Sequence, residues 1–61
     1  MGTLKAIHLM VKAILKYGNE YDIRDTGIAL DKYHRGLVTA SDLAGILGEI
    51  AYDATVDESR L

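Results

Sequence analysis

Apolar residues dominate the first long stretch of the chain, residues 4–17, and they recur there with the spacing of an α-helix. At about 100° per residue, the three lysines fall on one narrow line with His8 beside it, and aliphatic side chains cover most of the opposite side. Leu9 lies past the lysines, on the far edge of the apolar arc. That arc spans roughly two thirds of the helix, whereas a surface helix usually carries a stripe a little wider than 100°. We therefore expect this helix to have more apolar surface than two short neighbours can cover.

Glycines mark the ends of the first two helices. Gly18 predicts that the first helix stops at Tyr17, because glycine tolerates the left-handed backbone conformation that commonly ends a helix. A second helix over residues 22–35 follows, capped by Asn19 or Asp22, and Gly36 ends it in the same way as Gly18 ends the first. Gly27 lies inside this helix, where a glycine costs about 1 kcal/mol against alanine. Close approach of a neighbouring helix is the interpretation that we favour for it.

A capping box opens the third helix. Thr39 and Asp42 have the spacing in which each side chain bonds the backbone N–H of the other, which predicts a helix over residues 40–52. The remaining residues, 53–61, are acidic and weakly patterned, so a frayed tail is expected there. The predicted fold is an all-α, three-helix bundle that forms one domain over residues 1–52.

Composition and charge narrow the class of protein. The chain has 61 residues and no Cys, which excludes a disulfide framework and a Cys-based zinc site. The formal charge is +3 over residues 1–17, −1 over residues 18–35 and −4 over residues 36–61. Opposite charge at the two ends favours an antiparallel or head-to-tail arrangement, within the chain or between copies. The apolar run is too short and too charged to cross a membrane and has no signal-peptide cleavage pattern, so a cytoplasmic protein is expected.

Residues 31–42 are similar in layout to the calcium loop of an EF-hand. Asp31 stands at the first position, Gly36 at the sixth and Asp42 at the twelfth. Tyr33 and Arg35, however, occupy the third and fifth positions, where calcium needs oxygen ligands. The shared layout is equally that of a helix end, a glycine and a new capping box, so we predict no calcium site.

A helix-turn-helix for DNA binding is the alternative function. Within residues 39–58, Leu43 and Ala44 followed by Gly48 resemble the first helix and turn of that motif. The recognition helix would then begin at Glu49 and would carry four acids, which repel phosphates. The sequence pI near 5.5 also differs from that of a basic DNA-binding domain. Composition thus argues against nucleic acid as the partner.

Catalysis, metals and membranes receive little support from the residues. His8 and His34 are the only imidazoles, and neither belongs to a spacing typical of a metal site or of a nucleophile with its base. The thin basic line of the first helix is less than an interfacial membrane helix usually carries. We therefore predict a non-enzymatic protein with no cofactor, no metal and no membrane partner.

Protein–protein interaction is the function that remains. Tyrosine is enriched at interfaces, and all the aromatic residues of this chain are tyrosines. The predicted role is an adapter or inhibitor that forms a homodimer or binds a basic protein surface through the apolar side of the first helix and the acidic side of the third. A strip of small residues on the third helix either allows a partner to approach or only contacts the first helix. The candidate interface comprises Leu9, Met10, Ala13, Tyr17, Tyr21, Gly45, Gly48 and Tyr52.

Overall fold

The computed structural model describes the backbone of residues 2–60 and the side chains of residues 2–56. Three helices follow one another along the chain: α1 (Thr3–Tyr17), α2 (Glu20–His34) and α3 (Ala40–Arg60). No strand occurs within the described residues. The predicted all-α, three-helix bundle is thereby confirmed.

The turn between α1 and α2 has only two residues. Asn19 caps α2, since its side chain accepts a hydrogen bond from the Asp22 backbone N–H at 2.8 Å and the Asp22 carboxylate accepts one from the Asn19 N–H at 3.1 Å. Gly18 does end α1, but its φ of −77° is not left-handed, so the predicted reason is wrong. A Cβ atom at Gly18 would lie 2.6 Å from the Ile14 carbonyl oxygen, and the tight turn has no room for it.

The connection from α2 to α3 follows the sequence prediction closely. Gly36 is left-handed at φ +77°, and the N–H groups of Gly36 and Leu37 donate to the carbonyls of Tyr33 and Lys32. These two bonds form a Schellman motif, which satisfies the last carbonyls of α2. Thr39 and Asp42 then form the predicted capping box, with bonds of 3.1 and 3.3 Å.

Two element boundaries differ from the prediction by more than one residue. Helix α2 begins at Glu20 and not at residue 22, because Asn19 is its cap. Helix α3 continues past Tyr52 to Arg60, and Ala54 on this extension is only 1 % exposed. The predicted tail is therefore wrong for residues 53–56, where the chain is helical; the side chains of residues 57–60 and the whole of residue 61 lie outside the described part.

All three helices contribute to one small core. Its buried side chains are Ile7 and Ile14 from α1, Ala29 from α2, and Leu43 and Leu47 from α3. Helix α1 packs mainly against α3, whereas α2 makes a smaller contact with α3 and the smallest with α1. Gly27 is exposed, with open space where a Cβ atom would stand, so the close helix approach predicted there is wrong.

The short connections favour an arrangement in which the helices run up, down and up. Only residues 18–19 and 35–39 join the helices, so we infer that α1 and α3 are parallel to each other and that α2 is antiparallel to both. The Cα atoms span 37 × 25 × 14 Å, a flattened shape. The chain exposes 4402 Å², against roughly 3,900 Å² expected for a compact monomer of its mass. The fold thus leaves more surface in water than its size requires.

Candidate protein-interaction surface

Two of the eight candidate interface residues, Met10 and Gly48, meet where α1 packs against α3, and five more flank this contact. A Cβ atom at Gly48 would lie 3.7 Å from the Met10 Sδ atom, so these two residues mark the contact between the helices. Gly48 thus contacts α1 inside the fold, which is one of the two readings of the small-residue strip. By helical spacing, the other members flank this contact on the side away from α2. We call this the seam surface; it consists of Leu9, Met10, Ala13 and Tyr17 of α1 and Gly45, Gly48 and Tyr52 of α3.

The α1 part of the seam surface combines a large exposed side chain with small ones. Leu9 is 56 % exposed and Tyr17 is 40 % exposed, while Met10 and Ala13 are half-buried. The Lys16 ammonium lies 5.2 Å from the centre of the Tyr17 ring, a cation–π distance that keeps one aromatic face covered. Leu9 is therefore the apolar side chain on this part that the fold covers least.

On α3, the seam surface combines a glycine, Gly45, with one large protruding side chain, that of Tyr52. Gly45 is exposed, and nothing lies within 4 Å of the position of its Cβ atom. A Cβ atom at Gly45 would therefore meet no atom of α1, unlike one at Gly48. Tyr52 is 68 % exposed and stands two turns further along the same side of the helix. The surface thus offers both protruding side chains and an accessible backbone.

Tyr21 does not belong to the seam surface. It precedes Asp25 by one helical turn on α2, and Asp25, Ile28 and Lys32 line a groove between α2 and α3. Tyr21 is 60 % exposed there, with the Arg24 guanidinium 5.5 Å from its ring centre. Helix α1 ends at Tyr17 and α2 begins at Glu20, so no single helix face joins Tyr21 to Tyr17.

Charged side chains border the seam surface on both of its long edges. On α1, one exposed line of lysines lies next to Leu9; we call it the lysine ridge, and it consists of Lys5, Lys12 and Lys16. On α3, an exposed line of carboxylates follows Gly45 around the helix by helical spacing and separates the seam surface from the groove between α2 and α3, which Glu49 and Asp53 also line; we call it the acidic ridge, and it consists of Asp42, Glu49 and Asp53. Sequence reasoning noted both charges but not this arrangement, since only the packing of α1 on α3 makes them two edges of one surface.

A groove between α2 and α3 is a further concave feature. It has a volume of about 330 Å³, and charged groups of both signs stand on its walls beside Ile28 and Ile46. In the part of the chain that the structure describes, no group of three or more His, Asp or Glu side chains is placed to hold a metal ion. His8 and His34 are both exposed and lie on different helices.

The carboxylates of the EF-hand-like stretch have other partners. Asp31 lies in α2 and pairs with Arg35 at 3.6 Å, and Asp42 accepts the Thr39 N–H in the capping box. The stretch is therefore a helix end and a helix start, as the absence of ligands at its third and fifth positions predicts.

The helix-turn-helix predicted within residues 39–58 does not form. Helix α3 continues unbroken through Gly48, where that motif needs a turn, so residues 49–58 form no separate recognition helix. The turn predicted within residues 39–58 is therefore wrong. None of the helices, as far as they are described, has the length and apolar character needed to cross a membrane.

Comparison with known proteins adds no relative: no family model, no curated protein and no solved structure matches this chain.

Proposed function

We propose that this protein is a non-enzymatic protein–protein interaction module, acting as an adapter or an inhibitor, and that the seam surface is where it binds its partner. The observation that carries the proposal is the exposure of Leu9 and Tyr52 on either side of an open glycine, Gly45. Large exposed apolar side chains grouped on one surface mark interaction sites, whereas single ones scattered over a protein do not.

The shape of the seam surface supports this use. Interfaces gain most from a few well-packed aromatic and aliphatic side chains that enter hollows on the partner. Here Tyr52 and Leu9 are the protruding groups and Gly45 is the hollow. The acidic ridge beside them favours a partner with a basic surface, because complementary charge steers association and fixes orientation.

The groove between α2 and α3 fits this role less well. Its walls carry Asp25, Glu49 and Asp53 facing Lys32, so its charge pattern is mixed. A partner would have to remove water from these groups without an evident matching surface. The seam surface presents apolar groups at its centre and charges only at its edges, which is the usual anatomy of an interface.

Site-specific photocross-linking in the native host tests the proposal. A benzophenone side chain at position 52 should form covalent adducts with a protein partner, because Tyr52 stands at the seam surface. The same group at position 21 is the matched control, since Tyr21 is similarly exposed at 60 % but lies on α2. Adducts from position 52 alone support the proposal, and adducts from neither position or equally from both overturn it.

A pair of leucine substitutions then checks which side of α1 is used. Leu9 and Leu15 are 56 % and 58 % exposed on the same helix, but only Leu9 lies on the seam surface. Leu9→Lys should abolish the adducts formed from position 52, while Leu15→Lys should leave them unchanged. Equal loss in both variants would point to a general effect on the fold and would contradict the assignment.

A further inference from the structure

We propose that the partner of the seam surface is a second copy of this chain, placed by a two-fold axis that runs parallel to α1 and α3. The lysine ridge of each copy then lies along the acidic ridge of the other. This inference rests on the proposed function, because it names the occupant of the same surface.

The spacing of the two charged ridges carries the inference. The lysines at positions 5, 12 and 16 are separated by seven and then four residues, and the acids at positions 42, 49 and 53 are separated by the same intervals. On two α-helices with the same rise per residue, equal intervals place the charges at equal distances along the axis. The ridges therefore match at all three positions at once.

The packing of α1 on α3 sets the two ridges at the same height. Met10 of α1 contacts Gly48 of α3, so residues at the same height on the two helices differ by about 38 in residue number. Each lysine differs from its matching acid by 37 in residue number, which is nearly the same. One position corresponds to a rise of about 1.5 Å. Because α1 and α3 are parallel, Lys12 and Glu49 stand at nearly the same level on opposite edges of the seam surface.

Two symmetric arrangements would pack the seam surface against its own copy, one with the two-fold axis parallel to the helices and one with the axis across them. The charges of the two ridges distinguish these arrangements. A two-fold axis parallel to the helices leaves the height of each residue along that axis unchanged and places α1 of one copy opposite α3 of the other. The lysine ridge of one copy then meets the acidic ridge of the other, so Lys5, Lys12 and Lys16 each lie opposite an acid. An axis across the helices would place α1 on α1, lysines over lysines, and α3 on α3, acids over acids. Like charges held together at an interface oppose association, so the parallel axis is favoured.

The same axis fits the apolar centre of the surface. Since heights are kept, Leu9 of one copy reaches the level of residues 46–47 of the other, between Gly45 and Gly48. The exposed leucine thus enters the glycine hollow of its partner, and the reverse contact forms at the same time. Tyr52 stands at the level of residues 14–15 and covers Ala13 of the other copy. Such reciprocal contacts are what an isologous interface requires.

Sedimentation equilibrium of the purified chain tests this arrangement through the Lys12–Glu49 pair. The wild type should form dimers at micromolar to millimolar concentrations. Lys12→Glu and Glu49→Lys should each weaken dimerisation about tenfold, because each turns two attractive pairs per dimer into repulsive ones. The double variant should restore the wild-type affinity. Arg24→Glu is the matched control, since it changes the net charge equally but lies on α2, outside both ridges and outside the lining of the α2/α3 groove, and it should have no effect.

A glycine substitution tests the hollow independently of charge. Gly45→Leu places a side chain in open space of the single chain, so it should not lower the thermal stability of the monomer, but it fills the hollow that receives Leu9. The variant should therefore remain folded and lose the dimer. Gly27→Leu is the control, because Gly27 is also an exposed helical glycine with open space but lies on α2, and it should keep the dimer.

The outcomes separate this inference from the proposed function. A wild type that stays monomeric up to millimolar concentration overturns the self-association, and cross-links from position 52 to a different protein would then still uphold the interaction module. A dimer that Lys12→Glu strengthens, or that the double variant fails to restore, overturns the parallel axis. A dimer unaffected by Gly45→Leu shows that the seam surface is not the interface.

Discussion

At the residue scale, the glycines of this protein serve different physical purposes. Gly36 is left-handed, as its place after a basic helix end predicts, and a side chain there would be strained. Gly18 has an ordinary φ, and it is required because the Ile14 carbonyl and the Asp22 side chain occupy the space around it. Gly27 serves neither purpose, since it lies in a helix, exposed, with nothing close to it.

Gly27→Ala should therefore raise the free energy of unfolding by about 1 kcal/mol, the difference in helix propensity between the two residues. Chemical denaturation followed by circular dichroism measures it. Gly36→Ala is the control with the opposite sign, because alanine is strained at φ +77°. A loss of stability in Gly27→Ala would mean that α2 needs the glycine after all.

Thr26 is a polar residue that the fold buries. It is 2 % exposed, and its hydroxyl oxygen has no hydrogen-bond partner in the described part of the chain. A buried hydroxyl without a partner lowers stability, and valine has nearly the same shape. Thr26→Val should accordingly raise the free energy of unfolding by about 1 kcal/mol.

Thr55→Val provides the comparison for Thr26→Val. The Thr55 hydroxyl is exposed and donates to the carbonyls of Ala51 and Tyr52 at 3.0 and 3.1 Å. The same substitution there removes bonds and relieves no buried group, so no gain is expected. If both variants stabilised the protein equally, valine itself and not the burial of the hydroxyl would be the cause.

At the scale of the elements, the connections were predictable and one helix end was not. The Asn19 and Thr39 capping boxes depend on residues only three positions apart, so local sequence specifies them. The extension of α3 depends on Ala54 reaching a core that residues far along the chain create. Leu43, Leu47 and Ala54 do follow one helical face, but a lone alanine among acids is a weak signal.

The turn between α1 and α2 leads to a prediction at this scale. Gly18→Ala should lower the free energy of unfolding by about 1–3 kcal/mol, because the new Cβ atom overlaps a backbone carbonyl and the turn must shift. Urea unfolding measures the effect against Gly27→Ala, the same substitution with the opposite expected sign. A neutral result would show that the turn adapts freely.

At the scale of the whole molecule, the charge asymmetry has a different meaning from the one that the sequence suggests. The positive first third and the negative last third do not lie at opposite ends, because α1 and α3 are neighbours. The two charges instead border one surface, with Leu9 and Gly45 between them. Opposite edges on one surface allow two copies to associate, whereas opposite ends would favour chains of molecules.

If two copies associate in this way, the thermal midpoint should rise with protein concentration, since binding of the folded state stabilises it by mass action. Scanning calorimetry over a hundredfold range of concentration measures the rise. Leu9→Lys should remove the dependence and Leu15→Lys should keep it. Added salt should lower the midpoint at a fixed concentration by screening the ridges. A midpoint that is constant with concentration would contradict association.

The sequence by itself determined that there are three helices, that Gly36 and the Thr39–Asp42 capping box separate the last two, and the order of the charges, because these features depend on residues within a few positions of one another. It also placed Leu9 and Tyr52 among the candidate interface residues, and both side chains are exposed in the structure. Only the tertiary structure decided that Gly48 faces Met10, that Tyr21 lies elsewhere and that α3 extends beyond Tyr52. The physical reason is that a helix face acquires its role from the helix packed against it, and that choice is made between segments distant in the chain.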